Sequence, residues 1–93
     1  MRKATARHIL VESQSQCEAI KSEIENGADF SAMAQQHSLC PSGERGGDLG
    51  EFYPGQMVAE FDKVVFSAET GKVHGPVQTQ FGYHLIEITS RSD

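Results

Sequence analysis

Outside its carboxylates, the side chains that can titrate or attack near neutral pH are four histidines, His8, His37, His74 and His84, and two cysteines, Cys17 and Cys40. Imidazoles can pass protons, hold metal or anchor a hydrogen-bond network, and a thiol can become a nucleophile. All six are ligand types, but none shows the close paired spacing of structural zinc motifs, so a metal centre is the weaker reading. His8 and His84 stand apart by context. In the alternating stretch around the first, Ala6, His8 and Leu10 share a face; around the second, Gly82, His84, Ile86 and Ile88 do. One histidine on an apolar face is an ordinary core residue with locally satisfied nitrogens. Two in mirrored contexts near opposite ends of the chain point beyond packing.

The elements that must position these residues follow from periodicity. Ala4 to Val11 alternates as a first strand, with Arg7, Ile9 and Val11 on the face opposite His8. Ser15 and Glu18 fit a capping box, Cys17, Ile20 and Ile24 follow at helical spacing, and Asn26-Gly27 supplies a left-handed stop. Cys17, on that stripe, is a small core residue. Asp29 caps a second helix with the inner stripe Phe30, Met33, Ala34 and His37, ending near Ser38. Leu39 to Gly50, which holds Cys40, is too rich in Gly and Pro for a regular helix or central strand and reads as a long loop. Long ordered loops in small domains are usually functional, because their ordering entropy has to be offset. A short extended piece at Glu51-Phe52-Tyr53 and a Pro54-Gly55 turn lead to Met57, Phe61 and Val65, whose spacing predicts a third helix through about Ser67. Beyond the break at Gly71, Val73 to Val77 contains Pro76, which suits an edge or a strand start, and Phe81 to Thr89 alternates as the final strand. There are no repeats, linkers or low-complexity tracts.

The 93 residues are enough for one domain, since single domains commonly run to roughly 100–150 residues. With 38% apolar and 23% charged residues, the chain has material for one core and is not disordered. Eight basic against thirteen acidic residues leave a net charge of −5, opposite to the basic footprint of nucleic-acid binders. No stretch reads as a signal core or a membrane span, and two cysteines are few for a secreted domain of this size. The expectation is a cytoplasmic monomer with reduced thiols, and no membrane or nucleic-acid partner.

Several ordered blocks resemble the parvulin-type peptidyl-prolyl cis-trans isomerases, most closely the small free-standing bacterial members. They are His8-Ile9-Leu10-Val11, Gly27-Ala28-Asp29-Phe30, Ala34, Ser38-Leu39-Cys40-Pro41-Ser42-Gly43, Gly46-Gly47-Asp48-Leu49-Gly50, Met57-Val58 with Phe61, and Gly75-Pro76-Val77 leading into Phe81-Gly82-Tyr83-His84. No single block is decisive, but their order and spacing are specific. The resemblance implies an α+β fold, one domain over residues 1–93, with a four-stranded antiparallel sheet surrounded by about four helices in the order β-α-α-α-β-α-β-β. Periodicity supplies most of these elements, but not the short helix between the second helix and the second strand. The resemblance further implies that the strands of His8 and His84 lie side by side at the sheet centre. It makes Cys40 the active-site cysteine and Thr79 a hydroxyl partner of the histidines, with Leu49, Met57, Phe61 and Phe81 walling a proline pocket. One departure bears on specificity. Phosphate-directed parvulins carry basic residues after the first strand, whereas Glu12, Ser13, Gln14 and Ser15 stand here, and Arg45 is the only cation near the glycine loop. No phosphoserine preference is expected.

The implied chemistry suits these residues. An X-Pro bond prefers trans by only about 0.5–1 kcal/mol but faces a barrier near ~20 kcal/mol, set by amide resonance. In the twisted transition state the carbonyl loses dipole, so a pocket that strips water from it favours rotation without metal or cofactor. Cys40 as a covalent nucleophile ranks second, because rotation needs no bond cleavage; tuning the electrostatics beside His8 and His84 is the better role. The expected function is prolyl isomerisation in flexible or unfolded protein segments, in aid of folding. The alternatives are a non-catalytic peptide-binding or chaperone module, for which the set His8, Cys40, Thr79 and His84 would be superfluous, and an acidic structural domain.

Overall fold

The computed structural model describes residues 2–92. The chain runs β1 (Lys3–Val11), α1 (Gln14–Glu25), α2 (Phe30–His37), a 3₁₀ turn (Pro41–Arg45), β2 (Asp48–Phe52), α3 (Ala59–Val65), β3 (Val73–Thr79) and β4 (Gly82–Ser92). The strands form one antiparallel sheet in the order β2-β1-β4-β3, so the first and last strands are central neighbours. This is the α+β architecture expected, with three α-helices and the 3₁₀ turn around the sheet.

Both faces of the central strands are covered, and the alternation along each decides what lies on which side. Ile9, Val11 and Leu85 pack with Cys17, Ile20, Phe30, Met33 and Ala34 of α1 and α2. Ala4, Ala6, Ile86 and Ile88 pack on the opposite face with Phe52, Phe61, Val65 and Phe66. Because side chains alternate, His8 and His84 fall on this second face, the one covered by α3. Two arginines from opposite ends of the chain hold the end of α3: Arg91 Nη1 donates to the Val65 carbonyl at 2.9 Å and Arg2 Nη2 to that of Phe66 at 2.6 Å. Both satisfy carbonyls that a helix end leaves unpaired.

Several boundaries differ from the periodicity reading. The first helix is capped by Ser13, whose Oγ accepts from Gln16 N at 3.1 Å, two residues before the expected Ser15. Its stop at Asn26-Gly27 and the Asp29 cap of α2 stand where expected. The segment read as a loop from Leu39 to Gly50 contains two regular pieces, the 3₁₀ turn started by Pro41 and the first half of β2. The third helix is shorter than expected: it begins at Ala59, so Met57 lies ahead of it, and it ends at Val65. Pro76 sits in an edge strand, at a register shift between His74 and Val77, the setting in which a strand tolerates a residue without an N–H.

Candidate active site

On the α3 face of the sheet lies an open cavity of about 380 Å³. His8 and His84 form its floor. Leu10 is the cross-strand partner of His84 and Ile86 that of His8, so the two imidazoles are diagonal neighbours. Their rings stack at 16° with centroids 5.2 Å apart, and the two Nδ1 atoms are 3.0 Å from each other. The outer nitrogens are also engaged. His84 Nε2 lies 2.8 Å from Thr79 Oγ1, and His8 Nε2 lies 3.2 Å from Ser42 Oγ, which donates to Cys40 Sγ at 3.3 Å. A single hydrogen-bonded chain thus runs from Thr79 under the cavity to Cys40 at its wall.

Phe61, from α3, stands edge-on to both rings with centroids at 5.5 and 5.7 Å. Leu49 from β2, Met57 from the approach to α3, and Phe81 from the β3–β4 turn complete the walls with Leu10, Leu39, Pro41 and Val58. Leu39 and Phe81 form an apolar rim, 57% and 59% exposed, which an isolated domain shows mainly where something binds. The structure therefore brings His8, Cys40, His84, Leu49, Met57, Phe61 and Phe81 to one cavity, with Thr79 just behind it. Ser42, 3% exposed, escaped the sequence reading. It stands in a block that carries the resemblance, two residues after Cys40, but was given no role, and its inward aim depends on the 3₁₀ turn that Pro41 starts.

The other candidates lie elsewhere. Cys17 is sealed in the core on the opposite face, where burial pushes its thiol up to about 11. His74 Nε2 meets the Glu69 carbonyl at 2.7 Å. Among the described residues, no three His, Cys, Asp or Glu side chains gather as a metal cluster would require.

Burial decides the charge of the imidazole pair. It pushes the His8 pKa down to about 4, with repulsion from His84 adding in the same sense, and it lowers that of His84 as well. Both rings are neutral at neutral pH. In the unfolded chain His8 returns to about 6.5, so below that pH the unfolded state takes up a proton that the folded state refuses. Stability is then full above about pH 6.5 and is lost as the pH falls toward 4. His8 alone should contribute a loss of about 2 kcal/mol between pH 7 and pH 5, read as a fall in urea midpoint. A midpoint that stays level over that window would mean that the folded pair carries a proton.

Residues 3–90 match the rotamase family described as the PPIC-type PPIase domain. The chain belongs to that family. The foldase protein PrsA of Geobacillus sp. (strain WCH70) is 42% identical over 92 residues, covering 98% of this chain and 33% of that protein. The crystal structure of PrsA from Bacillus anthracis superposes with a TM-score of 0.95 at 38% identity, covering 99% of this chain and 43% of the other. The solution structure of NmPin, the parvuline of Nitrosopumilus maritimus, gives a TM-score of 0.87 at 34% identity and covers 97% and 98% of the two chains. The chain spans about a third of the length of the curated relatives it matches. The cavity and its histidine floor therefore belong to a PPIC-type rotamase domain, an isomerase family.

Proposed function

We propose that this PPIC-type domain accelerates rotation about X-Pro bonds in flexible or unfolded protein segments, without covalent chemistry and without cofactor, and so assists folding. The observation that carries the reading is the apolar cavity closed below by two neutral, mutually hydrogen-bonded imidazoles. Leu49, Met57, Phe61 and Phe81 hold the prolyl ring. The carbonyl of the preceding residue comes to lie over Cys40 and the histidine floor, with its water removed. The planar amide, with its larger dipole, loses more by that dehydration than the twisted one does, which lowers the barrier. His8, His84 and Thr79 act by fixing the floor, and Cys40 by its weak polarity rather than by attack. A cytoplasmic setting with reduced thiols is part of this proposal, because two cysteines are few for a secreted domain of this size.

Exchange NMR on a short X-Pro peptide tests this directly. The protein should speed cis–trans exchange, and the His84→Ala variant should speed it far less. Binding without faster exchange would instead leave a peptide-holding module.

Substrate charge gives a further prediction. Among the described residues no Lys or Arg lines the cavity, and Arg45, exposed on the 3₁₀ turn, lines a separate pocket with Arg7 and Asp48. A phosphoserine dianion before proline would find no cationic partner there. A plain Ser-Pro peptide should therefore be turned over at least about tenfold faster than its phosphorylated form, the equivalent of one unmatched charged hydrogen bond. Equal rates would contradict this.

A further inference from the structure

The hydrogen-bonded chain beneath the cavity has a direction, and its hydrogens can be counted. Ser42 brings one hydrogen to two neighbours, Cys40 Sγ at 3.3 Å and His8 Nε2 at 3.2 Å, so it can donate to only one of them. A neutral imidazole carries its hydrogen on one nitrogen, so the choice at Ser42 propagates through His8 to His84 and Thr79. Two complete settings exist.

In the first, Ser42 donates to Cys40 Sγ and accepts from His8 Nε2–H. His8 Nδ1 is then bare and accepts from His84 Nδ1–H, and His84 Nε2 accepts from the Thr79 hydroxyl. Thr79 Oγ1 in turn accepts from the Phe81 backbone N–H at 3.1 Å. In the second, each hydrogen points the other way. His84 Nε2–H and the Phe81 N–H both aim at Thr79 Oγ1, and the Thr79 hydrogen has no other acceptor among the described residues, on a side chain only 8% exposed. A buried donor left unmade forfeits the hydration it gave up on folding, which disfavours this setting. The Phe81 amide can only donate, so it selects the first setting.

We infer that Ser42 is a positioning residue of this site, coupling the Cys40 sulfur to the imidazole pair in a one-way hydrogen-bond relay that starts at the Phe81 amide. The relay leaves His8 protonated on Nε2 and His84 on Nδ1. Cys40 receives a hydrogen bond from below and turns its own S–H toward the cavity, where the substrate carbonyl comes to lie. This assignment rests on the isomerase reading only for that last step.

Nitrogen NMR of the two imidazoles in the intact protein tests it. The expected pattern is a protonated Nε2 on His8 and a protonated Nδ1 on His84; the opposite pattern overturns the relay. In Ser42→Ala, with the fold verified by its amide spectrum, each setting leaves one donor unmade, His8 Nε2–H in the first and the Thr79 hydroxyl in the second. The ring nitrogens of both histidines should then move toward averaged shifts. Alkylation of Cys40 by iodoacetamide should slow about fivefold, roughly the loss of one hydrogen bond to the sulfur; Cys17 is 0% exposed and does not contribute. Ring nitrogens and an alkylation rate identical to the parent's would make Ser42 a packing residue only. The parent's nitrogen pattern decides the direction of the relay even if the variant fails to fold. None of these readouts depends on turnover, so a protein with this pattern that fails to speed prolyl exchange would reject the isomerase reading alone.

Discussion

Replacing Phe61 with alanine should lower stability by about 3–5 kcal/mol and cut kcat/KM on an X-Pro peptide by ten- to a hundredfold. The ring is 3% exposed and belongs to two environments at once. On one side it packs in the core under α3 with Phe52, centroids 6.4 Å apart, and Val65. On the other it stands edge-on to His8 and His84 and lines the cavity. Truncation leaves a void in the first environment and a wet gap in the second. Water reaching the imidazoles would raise their pKa values back toward that of a free histidine, so the loss of stability between pH 7 and pH 5 should shrink in this variant. Phe61→Leu, which keeps most of the volume, should recover much of the stability but less of the activity. Chemical denaturation and a peptide assay measure both. A Phe61→Ala protein within about 1 kcal/mol of the parent and equally active would remove Phe61 from core and wall alike.

Gly47→Ala should be at least as damaging, although it adds a single carbon. Gly47 has φ +84°, a conformation that L side chains rarely adopt, and a Cβ there would sit 2.3 Å from the His8 carbonyl oxygen and 3.1 Å from its nitrogen. Those neighbours are backbone atoms of a central strand and cannot swing aside. The same glycine ties the loop to the site, accepting from His8 N at 3.0 Å and donating to the Ser42 carbonyl at 2.8 Å. The strain and the clash together should cost more than about 3 kcal/mol and displace both His8 and Ser42. Gly50 is the matched control. Its φ is +71° but nothing lies within 4 Å of an added Cβ, so Gly50→Ala should cost only about 1–2 kcal/mol. Similar midpoints for the two variants would show that the loop yields at Gly47 and that the close approach is not needed.

Parts of this site can be read from periodicity and parts cannot. Alternation places His8 and His84 on apolar faces because a strand's period of two is independent of its partners. That the two faces are the same face of one sheet depends on strand order, which no local pattern encodes, and here it came only from the resemblance. The Asp29 cap is local and was legible. At α1 two serines could serve, and the choice of Ser13 over Ser15 is made by which hydroxyl reaches a free amide. The start of β2 is hidden because Gly46, Gly47 and Gly50 look like loop residues, whereas their positive φ values are what bring the strand against β1. Met57 keeps the spacing of Phe61 and Val65 and does line the cavity, yet it lies outside the helix that the spacing suggested. Ser42 is invisible to any period, since its role exists only once the 3₁₀ turn has folded it under His8.

The pairing of β1 with β4 has an architectural corollary. Lys3 and Ser92 are cross-strand partners, so the polypeptide enters and leaves the sheet at one spot. His8, five residues along β1, lies about 17 Å from that spot at the rise of an extended strand. A host protein could carry this unit as a cassette, spliced through two adjacent strand ends, while the cavity over the histidine pair keeps its shape and its approach from solvent.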